Sequence, residues 1–158
     1  WRSSINSSAR DAMNRLGTIG KVLQLKERRE EEIGLEVRGL RDAISAQETH
    51  LATLEGEYRD TLETFERRQR EGSLPPHEMG VFYSYLYHLS REMEAKRAEI
   101  ARTLSALDAK HGALVEAHRE TRVVESLRDR RSREYAREES HQERKEMDFL
   151  SSTLREDR

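Results

Sequence analysis

Gly72-Ser73-Leu74-Pro75-Pro76 decides the fold, because helix-breaking chemistry is concentrated there and both prolines of the chain lie in it. Proline removes a backbone donor and clashes with the preceding turn, so no continuous helix is expected through Pro75 and Pro76. Gly72 can take the left-handed conformation that closes a helix. Ser73 is placed to cap the next helix, with the two prolines in its first turn, where missing N–H groups cost nothing. The expectation is two long helices folded back on each other: an all-α chain forming an antiparallel coiled-coil hairpin. Its parts are an N-terminal extension over 1–14, an arm over 15–71, a turn over 72–76 and an arm over 77–158. Residues 1–14 are serine-rich and are expected to fray, although Ile5, Ala9 and Ala12 continue the spacing seen downstream.

Outward from the turn, the first arm carries a heptad seam. It runs Leu16, Ile19, Leu23, Lys26, Glu30, Ile33, Val37, Leu40, Ile44, Gln47, Leu51, Leu54, Tyr58, Thr61 and Phe65. Eight of the ten positions from Ile33 to Phe65 are apolar, which is a coiled-coil pattern. Lys26 and Glu30 interrupt it, either as solvated, register-setting positions or because this end is gripped by something else. The second arm carries a matching ladder of Phe82, Leu86, Leu89, Met93, Lys96, Ile100, Thr103, Leu107, Lys110, Leu114, Ala117, Thr121 and Val124. A neighbouring phase adds Leu104, His111 and His118, and Leu127, Met147, Leu150 and Leu154 extend the ladder sparsely. Folding about the turn sets Phe65 beside Phe82, Tyr58 beside Leu89, Leu54 beside Met93, Leu40 beside Leu107 and Leu23 beside Val124. An arm of roughly 65 residues would be about 100 Å long. The second arm outlasts the first, leaving about residues 143–158 with little opposite them.

Composition narrows the function. Of 158 residues, 34% are hydrophobic and 38% charged, too little apolar material for a multilayer core but enough for one narrow stripe. The 29 basic and 31 acidic side chains leave a net charge of −2, which argues against broad binding to nucleic acid. Cysteine is absent, so neither disulfides nor thiolate chemistry is available. The six histidines form no HExxH motif, and the carboxylates are too evenly spread to mark a catalytic pair. A thin hairpin also lacks the concave pocket that catalysis needs. No enzyme activity, cofactor or metal is expected. No apolar run reaches the ~20 residues of a membrane span and no signal peptide is visible, so direct membrane insertion is not expected and a cytoplasmic location is.

Two stretches carry the functional signal. In Val81-Phe82-Tyr83-Ser84-Tyr85-Leu86-Tyr87-His88-Leu89, the seam takes Phe82, Leu86 and Leu89. Tyr83, Tyr85 and Tyr87 flank it or point away, and grouped exposed aromatics suit a protein-binding patch. The run from Leu127 to Asp148 is dense in both signs around Tyr135, which suits polar contact with another protein.

The stretches IGKVLQLKERREEE (19–32), GSLPPHEMGVFYSYLYHL (72–89) and LRDRRSREYAREESHQERKEMDF (127–149) together resemble the FliJ family of flagellar type III export stalk proteins, relatives of the injectisome stalks. Their order and spacing around a central turn carry the resemblance over about residues 15–150. Two departures stand out. Arg15 and Gly17 occupy positions where the family usually has aromatic residues, and residues 1–14 are extra.

The resemblance implies a protein of bacterial flagellum biogenesis and protein export, serving motility and chemotaxis. It would sit in the cytoplasm at the inner face of the membrane, beneath the flagellar basal body. Family members resemble the γ subunit of rotary ATP synthases. The end with both termini would therefore enter a hexameric flagellar export ATPase, through Leu23, Arg28 and Glu31 on the first arm and Leu127, Arg131, Tyr135 and Glu143 on the second. The tip would meet the cytoplasmic domain of the export gate through Tyr85, Leu89 and Tyr83, with Leu89 available only if the coil thins there. Alternatives are a protein that escorts export chaperones, for which tip tyrosines also serve, and a plain coiled-coil spacer. One copy per six ATPase subunits, as against a homodimer, separates the first from the last.

Overall fold

The computed structural model describes the backbone of residues 2–156 and the side chains of 10–153. The spacing noted at Ile5 and Ala9, and at Leu154, falls on side chains outside the described residues. Two helices make up the fold: α1, Arg2–Arg70, and α2, Pro76–Glu156, packed antiparallel as a helical hairpin. The backbone of residues 2–14 is the first part of α1.

The turn works by two different caps. Gly72 has φ +66°, the left-handed value glycine reaches without a Cβ penalty. With it there, the Ser73 N–H donates to the Arg68 carbonyl at 3.0 Å and the Gly72 N–H to the Gln69 carbonyl at 3.2 Å. That is the double closure of a Schellman motif. Three arginines in the last turn, Arg67, Arg68 and Arg70, complement the negative end of the helix dipole.

The expectation that Ser73 caps α2 does not hold. Its hydroxyl donates back to the Arg68 carbonyl at 3.3 Å, still serving α1. The Pro75 carbonyl opens α2 instead, accepting from the Glu78 and Met79 N–H groups, and Pro76 is the first helical residue. Proline suits that place because its absent N–H would have had no helical partner. Arg68 ties the corner together. Its guanidinium donates to the Ser73 carbonyl at 2.9 Å, pairs with Glu78 at 2.5 Å and lies 5.9 Å from the Phe82 ring centre.

Beyond the corner the helices fall into two packed units, described separately: residues 33–113, and residues 1–32 with 114–158. In the first, Ile33, Val37, Ile44, Leu54, Phe65, Leu86 and Leu89 are buried. Leu89, 2% exposed, is the most enclosed side chain of the unit. Phe65 meets Phe82 with ring centres 5.5 Å apart and planes tilted at 56°, a favourable aromatic geometry. Farther from the turn, Gln47 donates to Glu99 at 3.2 Å, Arg97 pairs with Glu55 at 3.1 Å, and Lys110 pairs with Glu36. From Phe65–Phe82 to Gln47–Glu99 to Glu36–Lys110 the steps back along α1 and forward along α2 are nearly equal, the register expected from the paired ladders. Arg97–Glu55 is a longer diagonal reach.

Gln47, Lys96 and Glu99 form a polar layer within this seam. Lys96 donates to Glu99 at 2.6 Å, and that bond is the main reason the Glu99 carboxyl is held below its ordinary value of 4.5. The Gln47 Oε1 is buried without a hydrogen-bond partner.

In the second unit the core is slimmer. Leu23 and Ala117 are buried, and among the described residues Thr121 is the one buried polar residue, its hydroxyl donating to the Ala117 carbonyl at 2.9 Å. The two seam interruptions are answered across the helices: Lys26 pairs with Glu120 at 2.5 Å, and His118 Nδ1 meets the Glu30 carboxylate at 2.7 Å. Lys26 and Glu30 are therefore partnered polar positions within the coil.

Every position of the two main ladders is buried or half-buried, as is His111 of the neighbouring phase, while Leu104 and His118 are exposed. The sparse extension of the second ladder does not hold: Leu127, Met147 and Leu150 are all exposed, in a stretch that buries almost none of its side chains. Among the described residues no helix is long and apolar enough to cross a membrane.

Candidate protein-binding surfaces

The first surface belongs to unit 33–113 and grows out of the start of α2. Successive residues of a helix step about 100° around its axis, so a seam that claims Phe82, Leu86 and Leu89 turns the intervening residues outward. Val81, Tyr83, Tyr85 and Tyr87 are all exposed as a result, Tyr85 by 43% and Tyr87 by 66%. This agrees with the expectation that the tyrosines flank the seam.

Each tyrosine is nonetheless positioned. The Tyr83 ring stands 5.3 Å from Phe65, tilted by 57°, so it leans on the core while keeping one face open. The Tyr85 hydroxyl reaches Glu57 of α1 at 3.5 Å, a long contact that steers the ring without burying it. Arg91 lies 5.9 Å from the centre of the Tyr87 ring. A trough lined by Asp60, Thr61, Thr64, Val81, Phe82 and Tyr85 runs beside the patch, so Tyr85 forms one wall of a groove made by both helices. Leu89 is not at this surface. It is buried in the core, one turn further along α2 from Tyr85.

The second surface belongs to unit 1–32 with 114–158. Arg28 and Glu31 of α1 are exposed, as are Leu127, Arg131 and Glu143 of α2; Tyr135 is half-buried. Leu23 is 4% exposed and belongs to the seam. Arg131 is held by Glu134 of the following turn at 3.1 Å, and Arg130 reaches the other oxygen of the same carboxylate at 3.1 Å. From Ser126 to Thr153 only Glu134 and Tyr135 are even half-buried. The sequence reading did not single out the sorting of charge by face along this stretch, which shows only when residues three, four and seven apart are compared. Among the described residues no group of three His, Asp or Glu side chains is placed to hold a metal ion.

A turn at the chain's centre, a tyrosine-rich start to α2 and a charged far end of α2 therefore occur in one antiparallel hairpin. The model of a known family, the flagellar FliJ protein, matches residues 15–155. The chain belongs to the FliJ family. As a FliJ family member it is a component of the flagellar protein-export apparatus, a family of export components rather than known enzymes. No curated protein and no solved structure matches the chain. The FliJ match begins at Arg15 and so leaves residues 1–14 outside it, the segment read from sequence as an extension.

Proposed function

We propose that this chain is the stalk of the flagellar export ATPase and links the ATPase ring to the membrane export gate. The observation that carries the reading is the contrast between the two units. One offers a positioned aromatic patch at the start of α2, and the other a long, exposed and heavily charged helix face. A protein that joins two different partners needs two chemically different surfaces, whereas a uniform spacer needs none.

In this reading the gate's cytoplasmic domain meets Tyr83 and Tyr85, while Leu89 keeps the two helices together beside them. The patch is tyrosine-rich, and tyrosine supplies contact area at low entropic cost. The ATPase ring meets Arg28 and Glu31 on α1 with Leu127, Arg131, Tyr135 and Glu143 on α2, while Leu23 keeps the two helices together there. Membership in an export family supplies the setting, and the absence of a membrane-crossing helix among the described residues is consistent with attachment through protein partners.

The test is capture of purified flagellar ATPase and of the gate's cytoplasmic domain by the full chain. Substitutions in each unit should cost only that unit's partner. Loss of both partners from a change in either unit would overturn the reading.

A further inference from the structure

Between residues 130 and 146 one face of α2 gathers arginines, although Arg131 and Lys145 lie off it and Asp148 stands at its far end. Counting about 100° per residue, Arg133, Arg137 and Arg144 fall within about 40° of one another, with Arg130 and His141 beside them. Glu139, Glu143 and Glu146 lie on the far side of the same helix. Half-buried Tyr135 marks the seam side of this stretch and lies roughly opposite the arginine face, which therefore turns away from α1. Glu134 borders that face.

This face is also shaped. Arg133, Arg137 and Arg144 line a shallow groove together with His141 and the small residues Ala136 and Ser140. A second groove, lined by Arg130, Arg133, Glu134 and Arg137, shares two of those arginines and continues the first toward the N-terminus of α2. Glu134 takes up Arg130 and Arg131 at 3.1 Å each, and Arg133 donates from Nε to the Asp129 carbonyl at 3.2 Å. Arg130, Arg133, Arg137 and Arg144 are all exposed.

We infer that this stripe is a docking surface for an acidic α-helix of a partner protein, laid along α2 with its carboxylates between the arginines. The arginines recur at spacings of three, four and seven, which match carboxylates at the same spacings on one face of a second helix. The small residues Ala136 and Ser140 beside the arginines let that helix approach closely, and arginine pairs with carboxylate in a two-pronged geometry that lysine cannot reproduce. One exposed ion pair contributes little, so recognition depends on several acting together and on their alignment. A phosphate backbone is disfavoured because the glutamates on the remaining faces of α2 would repel a polyanion wrapping the helix. The inference deepens the reading of this unit as the ring-binding one and rests on it only for which protein carries the helix.

The test uses the full chain and two synthetic helices of about 21 residues with identical composition. One has all its glutamates on a single face and the other has them scattered. Binding is read by fluorescence anisotropy at low and moderate salt. The one-faced peptide should bind about tenfold more tightly than the scattered one and weaken as salt rises. The Arg133→Gln/Arg137→Gln pair should lose about tenfold with unchanged helix content, while Arg102→Gln, outside this unit, should lose nothing.

Equal binding of the two peptides, or full binding by the double variant, would overturn the inference. So would tighter, stripe-dependent binding of a short DNA duplex, or stripe-dependent dimerisation of the chain in sedimentation without peptide. Capture of the ATPase ring is scored separately. Peptide discrimination without ring capture would retain the docking surface and reject the ring as its partner.

Discussion

His118 of α2 donates from Nδ1 to the Glu30 carboxylate of α1 across 2.7 Å, at a heptad position where an apolar side chain would ordinarily sit. The carboxylate can only accept, so the bond fixes the proton on Nδ1. This bond is the chief reason Glu30 is held below its ordinary carboxyl value of 4.5, with the Thr121 hydroxyl and Arg122 adding to it and partial burial opposing it. A carboxyl depressed in the folded state stabilises the fold at pH above its unfolded value. That contribution is lost as pH falls through the folded value. Stability of the helix pair around Glu30 should therefore be constant above pH 4.5 on this account and decline below it. In Glu30→Gln the decline should be shallower, as read by urea midpoints between neutral and acid pH; identical acid profiles would remove Glu30 from the account.

Leu89 is the most enclosed side chain of its unit, and truncating it should open a cavity between the helices. Leu89→Ala should cost about 2–5 kcal/mol in urea unfolding. If Leu89 were instead a surface contact, the same change would leave stability almost untouched.

Two glycines should respond in opposite directions to the same replacement. A Cβ at Gly39 would meet nothing within 4 Å, and the residue sits inside α1. Gly39→Ala should therefore stabilise by about 0.5–1 kcal/mol through helix propensity alone. Gly72 has equally open surroundings but φ +66°, so Gly72→Ala should destabilise by about 1–2 kcal/mol. Thermal unfolding of the two variants side by side checks both signs.

Gln47 stabilises its seam layer only in part, since its Nε2 serves Glu99 while its Oε1 is buried without a partner. Gln47→Leu removes that unsatisfied oxygen and leaves Glu99 bonded to Lys96. The expected net gain is about 1 kcal/mol, seen as a higher urea midpoint at unchanged slope. A loss of stability would mean that the Gln47–Glu99 bond outweighs the orphan oxygen.

Tyr85 should separate binding from folding. Its ring is partly open and its hydroxyl contact to Glu57 is long, so Tyr85→Ala should leave helix content intact. Gate-domain binding in a pull-down should fall by about tenfold or more, the scale of an interface anchor. Tyr85→Phe should retain most of it. Lost helicity with unchanged gate binding would sink the assignment.

The seam from Leu16 to Phe65 and from Phe82 to Val124 was legible in the sequence because the residues recurring every three and four positions share one helix face. Leu89 illustrates the strength of that spacing, since periodicity placed it inside although its resemblance-based role pointed outside. Spacing alone does not say where burial ends, and Leu127, Met147 and Leu150 are exposed. The turn was legible as a break but not in its chemistry. Ser73 is an equally good donor to the helix behind it, and only the backbone path from Gly72 decides which helix it serves. The partners of Lys26 and Glu30 could not be read from spacing along one strand of the seam. They depend on Glu120 and His118 being brought opposite by the fold. Likewise, the arginine stripe of α2 hides in a run of mixed charge until the residues are sorted around the helix axis.

Four of the five tyrosines, Tyr58, Tyr83, Tyr85 and Tyr87, fall within residues 33–113, and the only tryptophan is Trp1. Replacing Trp1 and Tyr135 with phenylalanine would leave tyrosine emission arising from those four residues, three of them in the aromatic patch. The chain thus carries its own optical reporter, and occupancy of the aromatic patch could be followed in real time without attaching a dye.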